Sequence, residues 1–323
     1  MTPLQFENLY QADWDELDKL LAAIRGKRQE QRDAHGERVA ALYRCACEQL
    51  ALARARSYPA YLVDRLERLS SDAHQAIYQQ REFGLGRLRA LAAREFPRAV
   101  RAHAAYVWIA LAVFVLPTLI VGLIVYSRPE LILSVVDAET AAEFERMYSG
   151  TEEAIGRMRG AETDLAMFGY YIRNNVGIAF QCFASGLIAG IGSLFYLGYN
   201  GVFFGAIAGY LTERGLSATF YSFVVTHAAF ELTAIVLSGA AGLRIGHALL
   251  MPGRLSRRQA LVVAARESIV IVYGVAVMLL IAAAIEAFWS SAVWIPPIMK
   301  YSVAAGCWIA VIGYLTLQGR NAR

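Results

Sequence analysis

Three ionisable side chains lie inside stretches of sequence that are otherwise apolar enough to cross a membrane. His227 and Glu231 fall within the run 220–243, and Glu286 falls near the end of the run 269–289. A charged side chain at bilayer depth costs roughly 2.5–3.5 kcal/mol or more unless it is paired, neutralised or hydrated. We therefore expect these side chains to face one another, or a shared polar cavity, inside a bundle of helices.

The spacing of His227 and Glu231 places both on one helix face, because residues four apart in a helix are neighbours. Three interpretations stay open: a polar network that fixes helix packing, a pathway for protons, ions or a substrate, and a metal or catalytic site with Glu286 as a third ligand. The H-E-x-x-H motif of zinc peptidases does not occur. We expect no bound cofactor. If a metal ion does bind, these three residues are the candidate ligands. Convergence of the side chains would favour a site, whereas separate burial against backbone carbonyls would favour packing.

The composition identifies an integral membrane protein with one soluble part. The 323 residues are 57% hydrophobic and have a mean hydropathy of +0.39, although the first third is polar. A net charge of +4 is too small to indicate a nucleic acid as partner. Residues 1–30 are charged throughout and contain no apolar segment typical of a signal peptide. Four cysteines lack the spacing of a disulfide framework or a four-ligand zinc site: Cys45, Cys47, Cys182 and Cys307.

Helical periodicity predicts an all-α polytopic membrane helix bundle of about six spans, preceded by a soluble helical hairpin. The N-terminal region should contain helices at about 5–24, 37–56 and 61–80. The predicted order is a cytoplasmic helical region at 1–103, a first span at 104–126, an acidic extracytoplasmic loop with an amphipathic helix (129–148) at 127–169, a bundle at 170–318, and a cytoplasmic tail at 319–323.

The apolar stretch 170–211 is too long for one span and long enough for two. Asn200-Gly201 is a turn signal, so we expect the break there, between pieces at about 172–197 and 201–213. Because the second piece is short, a re-entrant hairpin remains an alternative to two full spans.

Loop arginines predict the orientation, because cytoplasmic loops carry an excess of Lys and Arg. The tract before the first span, the loop between the fourth and fifth spans and the C-terminal tail are basic, which predicts that both termini are cytoplasmic. The six polar residues that this orientation places in the outer or middle part of the membrane are Asn174, Asn175, Gln181, His227, Glu231 and Glu286.

Glycines recur at every fourth position in the apolar runs. Glycine lets helix backbones approach closely, and this close packing drives association where lipid supplies no hydrophobic effect. The ridges, with the amphipathic helices, also indicate a homodimer. We predict helix packing at Gly186 and Gly190, at Gly201, Gly205 and Gly209, and at Gly242 and Gly246.

Four separated motifs resemble the SpoIIM family of bacterial membrane proteins, named for stage II sporulation protein M. They are FGYYIRNNVGIAFQCFASG at 168–186, Asn200-Gly201 with Gly205, THAAFELTAIVLSGAAGLRIG at 226–246, and AAIEAFWSS at 283–291. The resemblance covers about residues 100–320. The family usually has glycine where this chain has Ala228. The motif residues that the resemblance carries over are Asn174, Asn175, Asn200, His227, Glu231 and Glu286.

The resemblance implies a multi-pass protein of the bacterial inner membrane and the cell envelope, from a family without an established catalytic activity. The sporulation member is viewed as a membrane scaffold for peptidoglycan-degrading enzymes. The N-terminal region is similar to that of non-sporulating members, which implies a different role. Besides membrane lipids, the implied partners are other envelope or membrane proteins, including a MoxR-type ATPase system. We therefore expect a scaffold, with a transporter or channel, or an intramembrane metal-binding enzyme, as alternatives.

Overall fold

The computed structural model describes residues 1–24, 29–78, 85–149 and 161–320. These residues form helices, and no strand occurs among them, which confirms the predicted all-α class. The chain divides into two compact units, residues 1–87 and 88–323.

The first unit is built from three helices, α1 (Pro3–Ile24), α2 (Gln29–Ala55) and α3 (Ala60–Tyr78). Trp14, Leu62 and Leu66 are almost fully buried in its core. Such a core forms because apolar residues recur on one stripe of each helix. The predicted helices are present, although α2 begins earlier than residue 37, and α1 completes a three-helix core around the predicted hairpin.

The second unit is a bundle of long helices with short helical segments at its ends. Residues 88–103 belong to this unit, so the structure divides the chain earlier than the predicted boundary at 103. The reason is that Phe96 and Val100 are buried against later helices of the bundle. The helices beyond α3 are α4 (Leu85–Ala90), α5 (Phe96–Ala102), α6 (Ala104–Ser127), α7 (Ala138–Tyr148), α8 (Ala161–Ala184), α9 (Ile191–Glu213), α10 (Ser217–Leu250), α11 (Arg257–Ala284) and α12 (Pro297–Leu317).

Within the described residues, five helices are long and apolar enough to cross a membrane: α6, α9, α10, α12, and α11 together with the turn that follows it. The sixth long helix, α8, is more polar because it carries Glu162, Asp164 and Arg173. It nevertheless packs along α10, where Ser238 Oγ donates a 2.7 Å hydrogen bond to the carbonyl of Ala179.

The break between α8 and α9 lies ten residues earlier than predicted. A short 3₁₀ turn, Ser185–Leu187, follows α8, and Ala189 and Gly190 reverse the chain with φ angles of 49° and 81°. Helix α9 then runs without interruption through Asn200, whose amide donates to the carbonyl of Tyr196 at 2.7 Å. The predicted turn at Asn200 is therefore wrong.

Packing explains why α9 continues through Asn200-Gly201. A Cβ atom added at Gly201 would lie 2.3 Å from the carbonyl oxygen of Phe114 on α6, and one added at Gly205 would lie 2.3 Å from that of Thr118. Gly209 stands equally close to α6 at Gly122. The α6–α9 contact therefore needs an unbroken glycine ridge, and this tertiary requirement overrides the local turn preference.

The α8–α9 turn is held against α10 by a second close approach. A Cβ atom at Gly186 would lie 2.3 Å from the carbonyl oxygen of Gly242, and one at Gly246 would lie 2.1 Å from the backbone nitrogen of Gly190. Gly242 and Gly246 lie in the last third of α10. The hairpin formed by α8 and α9 therefore reaches far along α10, and of these two helices α9 is a candidate membrane span.

The predicted amphipathic helix at 129–148 is divided in two. A 3₁₀ segment, Pro129–Ser134, precedes α7, and α7 begins after Asp137, whose side chain accepts a 2.7 Å hydrogen bond from the backbone of Thr140. Its apolar face buries Ala141 and Tyr148 against the end of α9 and the start of α10. Helix α8 begins at Ala161, within the predicted loop 127–169.

Candidate functional site

His227, Glu231 and Glu286 meet in the bundle. One ligand atom from each side chain lies within 4.8 Å of the corresponding atoms of the other two. His227 Nε2 lies 3.8 Å from Glu231 Oε2, as the i, i+4 spacing on α10 predicts. We refer to these three residues as the triad.

A π-helical turn, Ile285–Ser290, brings Glu286 to α10 at the end of α11. Because α10 and α11 run antiparallel, Ser290 faces His227, and Glu286, four residues earlier, approaches Glu231. A π turn inserts a residue into the helical repeat and so re-aims the side chains around it, and such turns are frequent at functional sites. The sequence predicts that Glu286 lies in the same part of the membrane as His227 and Glu231. The π turn is what directs its side chain toward α10.

A hydrogen-bonded layer lies behind the histidine. His227 Nδ1 is 3.1 Å from Ser290 Oγ. Lys300 is only 7% exposed, and its ammonium donates a 2.6 Å hydrogen bond to the carbonyl of Ser290. Thr226 Oγ1 in turn donates to the carbonyl of Lys300 at 3.3 Å. This layer holds the turn that carries Ser290, and thereby the imidazole ring.

The sequence analysis missed Ser290 and Lys300. A signal for each was present: Ser290 stands four residues after Glu286, and Lys300 is a cation within the last apolar run. By the argument that selected the triad, such a cation should be buried with a partner.

Two of the three predicted amides of α8 reach the cluster. Asn175 is 1% exposed, and its Oδ1 accepts a 2.9 Å hydrogen bond from Asn174 Nδ2. Asn175 and Glu286 line the same cavity. However, within the described residues neither Asn175 Nδ2 nor Glu286 Oε2 has a hydrogen-bond partner of ordinary geometry. Gln181 is exposed on α8 and does not line the cavity above the triad, so it is not part of the site.

The triad forms the polar end of a cavity of about 420 Å³. This volume lies within the range of about 300–1,000 Å³ that is usual for small-molecule sites. Helix α7 supplies Phe144 and Met147, while α9 and α10 supply walls that include Phe203 and Phe223. Asn174 and Asn175 border the polar end. The cavity is thus apolar on most sides and polar at one end.

Comparison with known protein families fits this arrangement. The family model for stage II sporulation protein M, SpoIIM, matches residues 102–291, which is more than half of the chain and includes the whole triad. The chain belongs to the SpoIIM family. A second model, a domain of unknown function named DUF8413, matches residues 4–79 and so corresponds to the three-helix unit. No curated protein matches the chain, and no solved structure matches it.

Tyr148 is a further residue that this SpoIIM-family protein places in the lining of the cavity, together with the triad. It is the last residue of α7, is 5% exposed, and packs edge-on against Phe220 and Phe223. Burial, and next the nearby Glu286 carboxylate, raise the pKa of its phenol above the ordinary value, so it stays protonated. Sequence patterns give no indication of this contact, because it depends on how α7 folds back over the bundle.

The ligand atoms of the triad all lie within 4.8 Å of one another, somewhat farther apart than the ligands of one bound metal ion. A separation of 3.8 Å between His227 Nε2 and Glu231 Oε2 is too long for a hydrogen bond. Two ligands at about 2.1 Å from one tetrahedral metal ion are about 3.4 Å apart, so a small inward movement suffices. One imidazole and two carboxylates suit zinc and similar divalent ions, and three protein ligands leave a coordination position open.

Proposed function

We propose that this integral membrane protein of the SpoIIM family binds a divalent metal ion inside its helical bundle through His227, Glu231 and Glu286. The observation that carries the proposal is the convergence of three ligand atoms within 4.8 Å at the polar end of a cavity. The 3.1 Å contact between His227 Nδ1 and Ser290 supports it, because metal-binding histidines normally engage their second nitrogen in this way.

The packing beyond the triad favours a site that ends there over a continuous pathway for ions. Further along α10, Gly239 lies against Leu197, and Gly242 and Gly246 lie against the α8–α9 turn at backbone distances. Ser238 donates its hydroxyl to a backbone carbonyl. A transporter or channel would need space or unpaired polar groups along this stretch. The buried serines here, Ser193, Ser238 and Ser268, instead each donate a hydrogen bond to a backbone carbonyl.

Elemental analysis of the purified protein tests the proposal. Protein prepared without chelator and loaded with Zn²⁺ should retain about one equivalent after desalting, as expected for three protein ligands with an open position. His227→Ala, Glu231→Gln and Glu286→Gln should each lose it, whereas Glu130→Gln, which changes an exposed carboxylate outside the bundle core, should not. Metal far below one equivalent in the loaded wild type would refute the proposal.

The separate N-terminal unit supports a second proposed role, a scaffold for other proteins of the cell envelope. This unit has a core of its own around Trp14, and it matches a distinct family model. We propose that it is cytoplasmic and docks other membrane or envelope proteins, including a MoxR-type ATPase system, with a homodimer as the assembled form. Deletion of residues 1–87 should abolish recovery of such partners after crosslinking while the bundle still reaches the membrane.

The proposed orientation, in a bacterial inner membrane with both termini cytoplasmic, has a simple test. Cys45 is exposed in the N-terminal unit. A membrane-impermeant maleimide should label Cys45 only in inverted vesicles, whereas Glu130→Cys should be labelled in intact spheroplasts. The reverse pattern would overturn the orientation.

A further inference from the structure

The cavity above the triad has walls of two chemical kinds. Its apolar part is lined by Phe144 and Met147 of α7, Phe203 of α9, and Phe223 and Val224 of α10. Its polar part consists of the triad with Asn174 and Asn175. A ligand that satisfies both parts has a long apolar segment and one polar group, which is the chemistry of an amphiphile. The bundle sits among such molecules, because five of its described helices are candidate membrane spans.

Two features of the polar end restrict the polar group further. Two carboxylates offset the charge of a divalent ion, so the open position would accept a neutral or singly negative oxygen. Tyr148 adds a phenol to the lining of the same cavity. A protonated phenol donates, so it suits an oxygen that accepts, such as a carbonyl or carboxylate.

We infer that the cavity binds a single fatty acyl chain, with the acyl carbonyl or carboxylate oxygen between the triad and the Tyr148 hydroxyl. This inference rests on the proposed metal site, because the metal ion would hold the acyl oxygen. The chain lies against the aromatic side chains of α9 and α10, and α7 covers it.

Helix α7 is fixed in the position that this role requires. Glu145 of α7 accepts a hydrogen bond from Tyr210 of α9, and its carboxylate lies 3.0 Å from Arg214 Nε. Phe144 also packs on Phe203 with a ring separation of 6.3 Å. The cover of the cavity is therefore attached to α9 by a charged and an aromatic contact, and the same helix contributes Tyr148 to the cavity lining.

Photocrosslinking in nanodiscs tests the inference on the full-length, Zn²⁺-loaded protein. Two probes are used, a diazirine-bearing palmitate and a phosphatidylethanolamine with a diazirine in its acyl chain. We expect adducts on peptides that contain Phe203 or Phe223. Labelling by palmitate alone assigns a free fatty acid as ligand, labelling by the phospholipid alone assigns an esterified chain, and no cavity adduct with either probe overturns the inference.

Variants separate the cavity from the lipid-facing surface. Val224→Trp fills the apolar part and should reduce cavity adducts to background, and Met147→Trp fills it from α7 if the first variant does not fold. Leu116→Trp, at a position 57% exposed on α6, is the matched control and should label like the wild type. Equal adducts in filled and unfilled cavities would show that only surrounding lipid is detected, and would overturn the inference.

Tyr148→Phe tests the polar end. It should weaken palmitate labelling without changing labelling by a diazirine-bearing alkane that has no acyl oxygen. Equal palmitate labelling in the variant and the wild type would remove Tyr148 from the proposal. Metal content is measured on the same samples: zinc retained without acyl adducts refutes the acyl site alone, whereas zinc lost from the wild type refutes the metal site beneath it.

Discussion

His227 on α10 and Ser290 on the π turn after α11 are joined through Nδ1 and Oγ at 3.1 Å. With Nδ1 engaged, Nε2 is the nitrogen that faces Glu231. The contact therefore sets the ring orientation that the proposed metal site needs, and it connects the α10 ligands to the turn that carries Glu286.

Ser290→Ala should lower the affinity for Zn²⁺ by about 10–100-fold, the usual effect of removing a group that orients a metal-binding histidine. The fold should persist, because the Lys300 ammonium still donates to the Ser290 carbonyl. Ser291→Ala is the matched control, since the Ser291 hydroxyl donates to the carbonyl of Ala287 in its own turn. Zn²⁺ competition titrations on both variants give the comparison, and equal affinities would assign Ser290 a packing role only.

Part of the site follows from sequence alone. The free-energy cost of a charge in lipid selects His227, Glu231 and Glu286, and the helical repeat predicts that the first two share a face. Their meeting with Glu286 depends on the antiparallel packing of α10 and α11 and on a π turn, which are tertiary features. The position of Tyr148 is still harder to predict from the sequence, because this residue belongs to a separate helix that folds over the cavity.

The turn between α8 and α9 shows why a local signal fails. Asn-Gly favours a turn in isolation, but Gly201 is needed within a helix, where it touches the backbone of α6. The actual reversal uses Ala189 and Gly190, whose positions are set by contact with α10. Competition between a small turn preference and a helix–helix contact is decided by the contact. The glycine spacing predicts packing at Gly201, but it does not reveal that α6 is the partner helix.

Gly205→Ala should destabilise the bundle. The added Cβ would lie 2.3 Å from the Thr118 carbonyl oxygen and 2.8 Å from its Cα, and neither backbone atom can move without displacing α6. Overpacking of this kind typically costs about 1–3 kcal/mol. Thermal unfolding at a fixed scan rate should show a lower apparent Tm.

Gly313→Ala on α12 is the control for that measurement. Nothing lies within 4 Å of a Cβ atom at this position, and alanine is favoured over glycine within a helix by about 1 kcal/mol. Its Tm should be unchanged or higher. A Tm for Gly205→Ala equal to that of Gly313→Ala would contradict the close α6–α9 contact.

Acidification should loosen α7 through Asp137, the residue that caps its N-terminus. The backbone hydrogen bond from Thr140 holds the pKa of Asp137 below its ordinary value. The stabilising contribution is therefore present above the ordinary aspartate pKa of about 3.9 and is lost as the pH falls through the lower folded-state value. Hydrogen exchange of the α7 amides, corrected for intrinsic rates, should show reduced protection over this interval.

Asp137→Asn separates titration from capping. Asparagine also accepts the hydrogen bond at a helix N-terminus but does not titrate. In this variant, the protection of the α7 amides should therefore no longer decrease as the pH falls below the ordinary aspartate pKa. An unchanged pH dependence in the variant would mean that another acidic group controls α7.

Trp14→Phe should destabilise the N-terminal unit although the core stays apolar. The indole Nε1 donates a 2.6 Å hydrogen bond to Gln49 Oε1, and Gln49 is only 8% exposed. Phenylalanine keeps an aromatic face beneath the Arg65 guanidinium, which lies 5.3 Å from the Trp14 ring centre, but it leaves the Gln49 oxygen without its donor. A buried acceptor that loses its partner costs about 1–3 kcal/mol.

The double variant Trp14→Phe/Gln49→Leu tests that cause, because it removes the orphaned acceptor together with the donor. Replacement of both partners by apolar groups can be nearly neutral, so the double variant should recover stability that the single variant loses. Hydrogen exchange of α1–α3 in the full-length protein measures both. If the double variant is no more stable than Trp14→Phe, the loss comes from indole packing in the core and not from the hydrogen bond.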